Sequence, residues 1–327
     1  MKQPLNSEKE VSGLNFPPRL KQRRKAFTLI ELLVVIAIIA ILASVLLPVL
    51  HQAQLRGETA ACIDHQKQLA TAWVMYASDN NDGCAGNAWG AAGGEQGWTM
   101  YRGRFSPSAM LTYPTNWISG WMDPSGTSGN GTIPNGEADN TNDDLLVDPN
   151  YASMGDYIKN RQIFICPACI VKVYGSLSGG SGRIYNQVRS VSMNCWVGYI
   201  SAPPNEPAYK EFKKTTQITA GIGPSDLFVF MEERGESIDD GSFETQMGDN
   251  TIANWPTDYH NNAATVGFAD GHVDVHRWVG ETTSQPGWSC TAPQSPEPPI
   301  KWGSVSVPSR WLTDYDWLEN HASCLSH

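Results

Sequence analysis

Hydrophobic positions are laid out in two different ways along this chain. From Leu29 to Leu50 the sequence is apolar on every face, with Glu31 as its one charge. Counted from Phe27 the run is 24 residues, roughly 36 Å of helix at ~1.5 Å per residue, enough to cross a hydrocarbon core of about 30 Å. Beyond Leu50 the pattern becomes one-sided: Ala53, Ala60, Ala61, Leu69, Ala70, Ala72, Trp73, Val74 and Tyr76 recur at spacings of three and four. One helix from Phe27 to about Tyr76 is predicted, with Gly57 as a weak point costing about 1 kcal/mol relative to Ala. The Asx-rich run Asp79–Gly83 ends it.

Downstream the period shortens. Ser190–Tyr199 alternates as a strand, and Asp226–Glu232 reads as a more buried one. Between alternating apolar positions, Asp270-Gly271 signals a hairpin over 264–277. A two-residue turn there would set Phe268 opposite Val273 and Val266 opposite Val275, leaving His272, Asp274 and His276 on the other face. Residues 84–150 carry no sustained period and read as long loops with a short strand at Trp117–Trp121. A short helix is expected within 147–160 and another within Arg310–Glu319, docking Trp311, Leu312, Tyr315 and Leu318.

Charge is asymmetric. Residues 1–26 hold seven Lys or Arg against two Glu, a leader of +5 in a chain whose net charge is -10. By the positive-inside rule the leader stays cytoplasmic while the acidic remainder crosses. So acidic a body excludes a nucleic-acid interface, which needs a basic footprint. The apolar run is too long for the core of a cleaved secretory signal, and Glu31 interrupts it where such a core is purest. A carboxylate at the centre of a lipid-embedded helix costs roughly 2.5–3.5 kcal/mol, and less near the interface, so Glu31 calls for a partner.

Candidate chemistry is sparse. The sequence shows no nucleophile elbow, no zinc-protease helix, no phosphate loop and no dinucleotide fingerprint, and the reading is of a non-enzyme. Asp139, Asp143 and Asp144 lie in an oxygen-rich segment that suits calcium but lacks the EF-hand register; a solvated acidic loop is the alternative. His272, Asp274 and His276 are a second candidate metal set, set against the ordinary polar outer face of a hairpin. Cys166-Pro-Ala-Cys169 reads as a zinc half-site, a redox pair or disulfide partners. In an oxidising compartment Cys62, Cys84, Cys166, Cys169, Cys195, Cys290 and Cys324 are candidates for loop-stapling disulfides, and the odd number leaves one unpaired. The twelve Trp all follow the apolar run; stacking on sugars would make a carbohydrate-binding or adhesive surface, and core packing is the alternative.

Ala26-Phe-Thr-Leu-Ile-Glu31-Leu resembles the processing site of type IV pilins and type II secretion pseudopilins, with Ala26 where Gly is usual. Pro48 matches the helix-perturbing proline of that family. The resemblance implies cleavage by prepilin peptidase between Ala26 and Phe27, N-methylation of Phe27, and neutralisation of a neighbouring subunit's terminus by Glu31. Cys62-Ile-Asp-His65-Gln-Lys-Gln is similar to the Cys-x-x-Asn-Leu-Lys-Gln stretch of pilin-like proteins abundant in Planctomycetes and Verrucomicrobia, with His65 in place of Asn. His260, nine residues, Asp270 and Gly271 reproduce the H-x9-DG signature of the prepilin-processing-associated C-terminal domain. A structural role at the hairpin is expected for His260.

The implied fold is α+β and pilin-like, a long helix packed on an antiparallel sheet. Its parts would be a cytoplasmic leader (1–26), a transmembrane half-helix (27–50), a periplasmic half-helix (51–78), a β-rich domain (79–279) with the H-x9-DG hairpin at 260–278, and a tail (280–327). The implied function is a filament subunit of a pilus or type II secretion machine, without cofactor unless calcium binds. It would be anchored once in the inner membrane, with prepilin peptidase and other pilin subunits as partners. A membrane-anchored extracytoplasmic ligand-binding or adhesive protein using a pilin-type signal is the alternative.

Overall fold

A computed structural model describes residues 28–87, 116–118, 120, 142–149, 151–169, 172–175, 183–198, 208–235, 237–238, 240–248, 250–280, 305–306 and 309–326. The chain divides into two units, 1–51 and 52–327. Helix α1, Leu29–Asp79, runs through the division and is unbroken at both Pro48 and Gly57. In the first unit its large apolar side chains, Leu29 to Leu50, are exposed, a surface compatible with a membrane anchor. In the second unit a single face is buried: Cys62, Gln66, Leu69, Ala70, Ala72, Trp73 and Ala77. Helix α1 ends where Asn81 and Asp82 adopt left-handed backbone at φ 55° and 62°, the conformation short Asx side chains tolerate.

The second unit is built on a five-stranded sheet with β3 (Val191–Asn194), β4 (Phe228–Glu232), β5 (Ser242–Phe243), β7 (Ala263–Phe268) and β8 (Val273–Arg277) in the order β5-β3-β4-β7-β8. Strand β5 runs parallel to β3 while the other pairs are antiparallel, so the sheet is mixed rather than purely antiparallel. Two further antiparallel pairs are β1 (Lys172–Gly175) with β2 (Arg183–Asn186), and β6 (Thr251–Ile252) with β9 (Val305–Ser306).

Both faces of the sheet are covered. One core joins Leu69, Ala72 and Trp73 of α1 to Val191, Met193, Val229 and Phe230. The other joins Phe228, Met231, Ala264, Val266 and Phe268 to Trp311, Leu318 and Ala322 at the C-terminal helix. Central strand β4 therefore reads as a continuous apolar run, buried along its whole length.

Outside the 264–277 hairpin, local structure departs from the sequence expectations at four places. Residues 147–160 form no helix: a single turn, α2 (Asp144–Val147), comes before them and turns at 151–157 follow. Around Trp117 the described residues make a bridge at Asn116 and bends, not a strand, and Trp117 and Ile118 enter the core. A short helix α3 (Thr215–Thr219) lies where no helix is expected. The C-terminal helix α4 spans Leu312–Ala322; it docks Trp311, Tyr315 and Leu318, but Leu312 is exposed. Its buried Asp314 accepts from the N–H groups of Val279 and Gly280 at 2.9 and 2.7 Å, holding the helix start to the end of β8.

The β7–β8 hairpin has a three-residue loop, Ala269–Gly271. Gly267 pairs with Val273 and Val266 with Asp274, one residue out of the register that a two-residue turn would set. Phe268 stacks on His272 with ring centroids 4.2 Å apart. The Phe268 and His272 backbones close the loop at 2.9 Å, and Gly271 takes φ 85°, the form in which a type I turn is followed by a left-handed residue. The reason is tertiary: the N–H groups of Ala269 and Asp270 bond the carbonyls of Leu227 and Pro224, so the loop is shaped by the chain beside it. Gly271→Ala is expected to cost about 1–2 kcal/mol, read as a lower urea midpoint at unchanged m-value. Space around Gly271 is open, so Gly271→Asn should lose less; equal losses would mean that sterics and not backbone strain set the preference.

Candidate functional site

Four elements of the second unit deliver one polar side chain each to a common point. Helix α1 supplies Cys62, the turn after a 3-10 segment (Arg161–Phe164) supplies Cys166, the end of β4 supplies Glu232, and the loop entering β7 supplies His260. All four are buried, with exposures of 1%, 2%, 1% and 5%, and their ligand-type atoms lie within 4.8 Å of one another. The Cys62 thiol donates to Cys166 Sγ at 3.0 Å. His260 Nε2 stands 3.5 Å from Cys166 Sγ and 3.1 Å from Glu232 Oε2. Glu232 Oε2 also accepts from the Thr265 N–H at 2.9 Å.

Hydrogen-bond accounting fixes the imidazole. Thr59 Oγ1 donates its proton to the Leu55 carbonyl at 2.8 Å, so in its 3.1 Å contact with His260 Nδ1 the ring nitrogen is the donor. Nε2 is left facing a carboxylate and a sulfur. A bare lone pair there would be repelled by the carboxylate, which favours a proton on Nε2. Burial lowers the His260 pKa, but Cys166 and then Glu232 outweigh it and raise it to about 10. Burial likewise pushes Glu232 up, and His260 with the Thr265 N–H more than reverses the shift, leaving it below the usual carboxylate range. Of the thiols, Cys166 is pulled down by Cys62 and His260 against burial, whereas its contact with Cys166 and then burial push Cys62 up.

The neighbouring residue forms a second polar knot. Buried Glu233 accepts from Ser192, Ser237 and Asn254 at 2.5, 2.9 and 2.6 Å, yet burial outweighs these bonds and lifts its pKa to about 8.

The remaining residues singled out by sequence go elsewhere. Asp143 and Asp144 both pair with Arg161 at a half-exposed surface. His272 Nδ1 contacts Asp270 Oδ1 at 2.6 Å, Asp274 accepts from the Val275 N–H at 2.8 Å, and His276 stacks on Trp317 at 3.8 Å. His272, Asp274 and His276 do share a face, but it is the one carrying Ala264, Val266 and Phe268. Cys84 and Cys195 are buried in the two cores, Cys169 Sγ lies 3.9 Å from the Tyr259 hydroxyl, and Cys324 packs beside the first core. No disulfide is formed among the described cysteines. Ala26, Phe27, Asp139 and Cys290 fall outside the described residues.

At the other end of the chain Glu31 has a local task. The Thr28 N–H and hydroxyl both donate to Glu31 Oε2 at 2.8 Å, and the Glu31 N–H returns a bond to Thr28 Oγ1 at 3.2 Å. This is a capping box, legible as Thr28-x-x-Glu31 and overlooked in the sequence reading. Asp270-Gly271 is tied to the same helix further along, since Lys67 Nζ donates to the Gly271 carbonyl at 2.5 Å. Lys67 thus ties the Cys62–Gln68 stretch to Asp270-Gly271. Glu232 and Thr59 carried no separate motif; the one available sign was a carboxylate closing the apolar run Phe228–Met231.

The prokaryotic N-terminal methylation motif family matches residues 21–47. Over 57 residues, 17% of this chain, the sequence is 49% identical to the type IV wide pilus major component PilA4 of Thermus thermophilus, and the match spans 44% of that protein. No solved structure matches the chain.

Losing one partner of a buried ion pair leaves the other charge stranded, so Glu232→Ala is expected to cost about 3–5 kcal/mol. Arg161→Ala, which breaks only half-exposed pairs, should stay within about 1 kcal/mol. Urea unfolding of the two variants compares them directly. The alkaline limb of the pH–stability curve offers a second check in chelator-treated protein. His260 and Glu233 both have folded pKa values above their ordinary ones of 6.5 and 4.5. Each contribution is complete below the ordinary value and is lost as pH rises through about 10 and about 8 respectively. Glu233→Gln should therefore flatten the fall in stability between about pH 4.5 and 8, and an unchanged slope would show that Glu233 ionises normally.

Proposed function

We propose that this pilin-like structural subunit is cut by prepilin peptidase between Ala26 and Phe27, held in the inner membrane by the first half of α1, and assembled through that half into a pilus-like or type II secretion filament. One observation carries the reading: in a chain with a prokaryotic methylation motif, the helix from Leu29 to Leu50 keeps its large apolar side chains exposed and holds one carboxylate at its start. Lipid can solvate such a surface in the stored subunit, and neighbouring copies of the helix can cover it in a filament. After cleavage the new Phe27 amine would lie four residues from Glu31. In the single chain Glu31 spends its carboxylate on Thr28; in the assembly it would neutralise the amine of an adjacent subunit, and placing two opposite charges in lipid as a pair costs less than placing each there alone.

Burial of the described tryptophans supports the structural role over a sugar-binding one. Trp73, Trp117, Trp196, Trp255, Trp278 and Trp311 are all buried, and Trp317 is half-buried against His276 and His321. Among the described residues they form core and leave no exposed aromatic platform.

Mass spectrometry of the N-terminal peptide from host membranes tests the processing step. A peptide beginning at N-methylated Phe27 is the expected result, while an intact leader or a terminus beyond Leu50 would sink the proposal. Glu31→Ala should leave the subunit in the membrane fraction and deplete it from sheared filaments. Undiminished incorporation of that variant would remove Glu31 from assembly.

A further inference from the structure

We propose that Cys62, Cys166, Glu232 and His260 form a closed four-ligand zinc site that locks the second-unit half of α1 to the sheet. Two thiolates, a carboxylate and an imidazole are the borderline S, N and O donors that zinc takes, and four protein ligands leave no open position, which marks a structural rather than a catalytic site. With Zn–S near 2.3 Å and Zn–N or Zn–O near 2.0–2.1 Å, a tetrahedron has S···N edges of about 3.5 Å and N···O edges of about 3.3–3.4 Å. Cys166 Sγ to His260 Nε2 is 3.5 Å, and His260 Nε2 to the two Glu232 oxygens is 3.1 and 3.3 Å. The two sulfurs, at 3.0 Å, are well beyond the about 2.05 Å of a disulfide and need part by only about 0.8 Å to reach a tetrahedral S···S edge.

Outer-shell contacts are in place as well. His260 Nδ1–H is anchored on Thr59 Oγ1, which directs the Nε2 lone pair inward, and Glu232 is oriented by the Thr265 N–H; metal-ligating His and carboxylate groups are held in this manner. A zinc ion would occupy the place that the Nε2 proton fills in the metal-free chain. Binding releases that proton and the two thiol protons to solvent and leaves Zn²⁺ with two thiolates, one carboxylate and a neutral imidazole, a net charge of about -1. Cys169 stands outside the set, beside Tyr259, so the Cys166–Cys169 pair is not the chelating unit.

The test uses the full chain solubilised in detergent and purified in the presence of zinc, then dialysed. Elemental analysis should find about one zinc per chain, and cobalt exchanged into the chelator-treated protein should show tetrahedral d–d bands with thiolate charge transfer. His260→Ala and Cys62→Ser should lose at least about tenfold in affinity, and Thr59→Val, outside the ligand set, about 10–100-fold while remaining folded. Cys169→Ser should bind as the parent does. Should the ligand variants fail to fold, the parent's cobalt spectrum and Thr59→Val decide. A Cys62–Cys166 disulfide in peptide mapping, absence of bound zinc, or loss of zinc in Cys169→Ser but not in His260→Ala would overturn the proposal.

Discussion

A charged group buried at the meeting point of helix and sheet constrains much of the second unit. Glu232 ends the central strand and cannot reach water, so its charge has to be answered inside the protein, where an unpaired carboxylate is too costly to keep. The answer comes from His260, whose ring is in turn aimed by Thr59 of α1. Strand, loop and helix are thereby referred to one point, and Cys62 and Cys166 pack against it from α1 and from the segment preceding β1. The two apolar cores pack α1 and α4 on the sheet, and the directional polar contacts add a further constraint on the position of α1 along it.

Helix α1 carries two kinds of surface. Its first half is apolar all round and its second half is apolar on one face, and a single regular backbone serves both because hydrogen bonding within a helix is independent of what surrounds it. The change of environment is written wholly in side chains. Glycine at position 267 of β7 fits the same logic: a Cβ there would stand 3.3 Å from Gln66 Oε1 and 3.7 Å from Ala70, so small residues on both partners let α1 lie close to the sheet. The opposite face is sealed by α4, whose Trp317 stacks between His276 and His321.

Much of this was legible in local pattern. The extent of α1, its stop at the Asx-rich turn, the lipid-type half and the buried character of β4 all follow from periodicity and composition, which act over a few residues. The N-terminal motif likewise is contiguous, and it is this stretch that the prokaryotic N-terminal methylation motif family matches. Glu31 stands in the sequence as a charge in need of a distant partner, whereas in the structure Thr28, three residues away, already engages it. The hairpin was located correctly from Asp270-Gly271, but its register was misjudged by one residue, because the loop is held by the Leu227 and Pro224 carbonyls rather than by its own turn preference.

Sequence by itself, then, determined the elements whose causes are local: a long two-part helix, short strands, a tight hairpin, a basic leader before an apolar segment. Tertiary structure alone decided which of the six described cysteines meet and what they meet. Cys62 and Cys166 are 104 residues apart, and Glu232 has no motif of its own, so no spacing rule joins them. Their convergence with His260 depends on the sheet order β5-β3-β4-β7-β8 and on the face α1 presents to it. Contacts of that kind are set by packing across the whole unit, because a pair so distant in sequence has no interaction energy until the cores around it have closed.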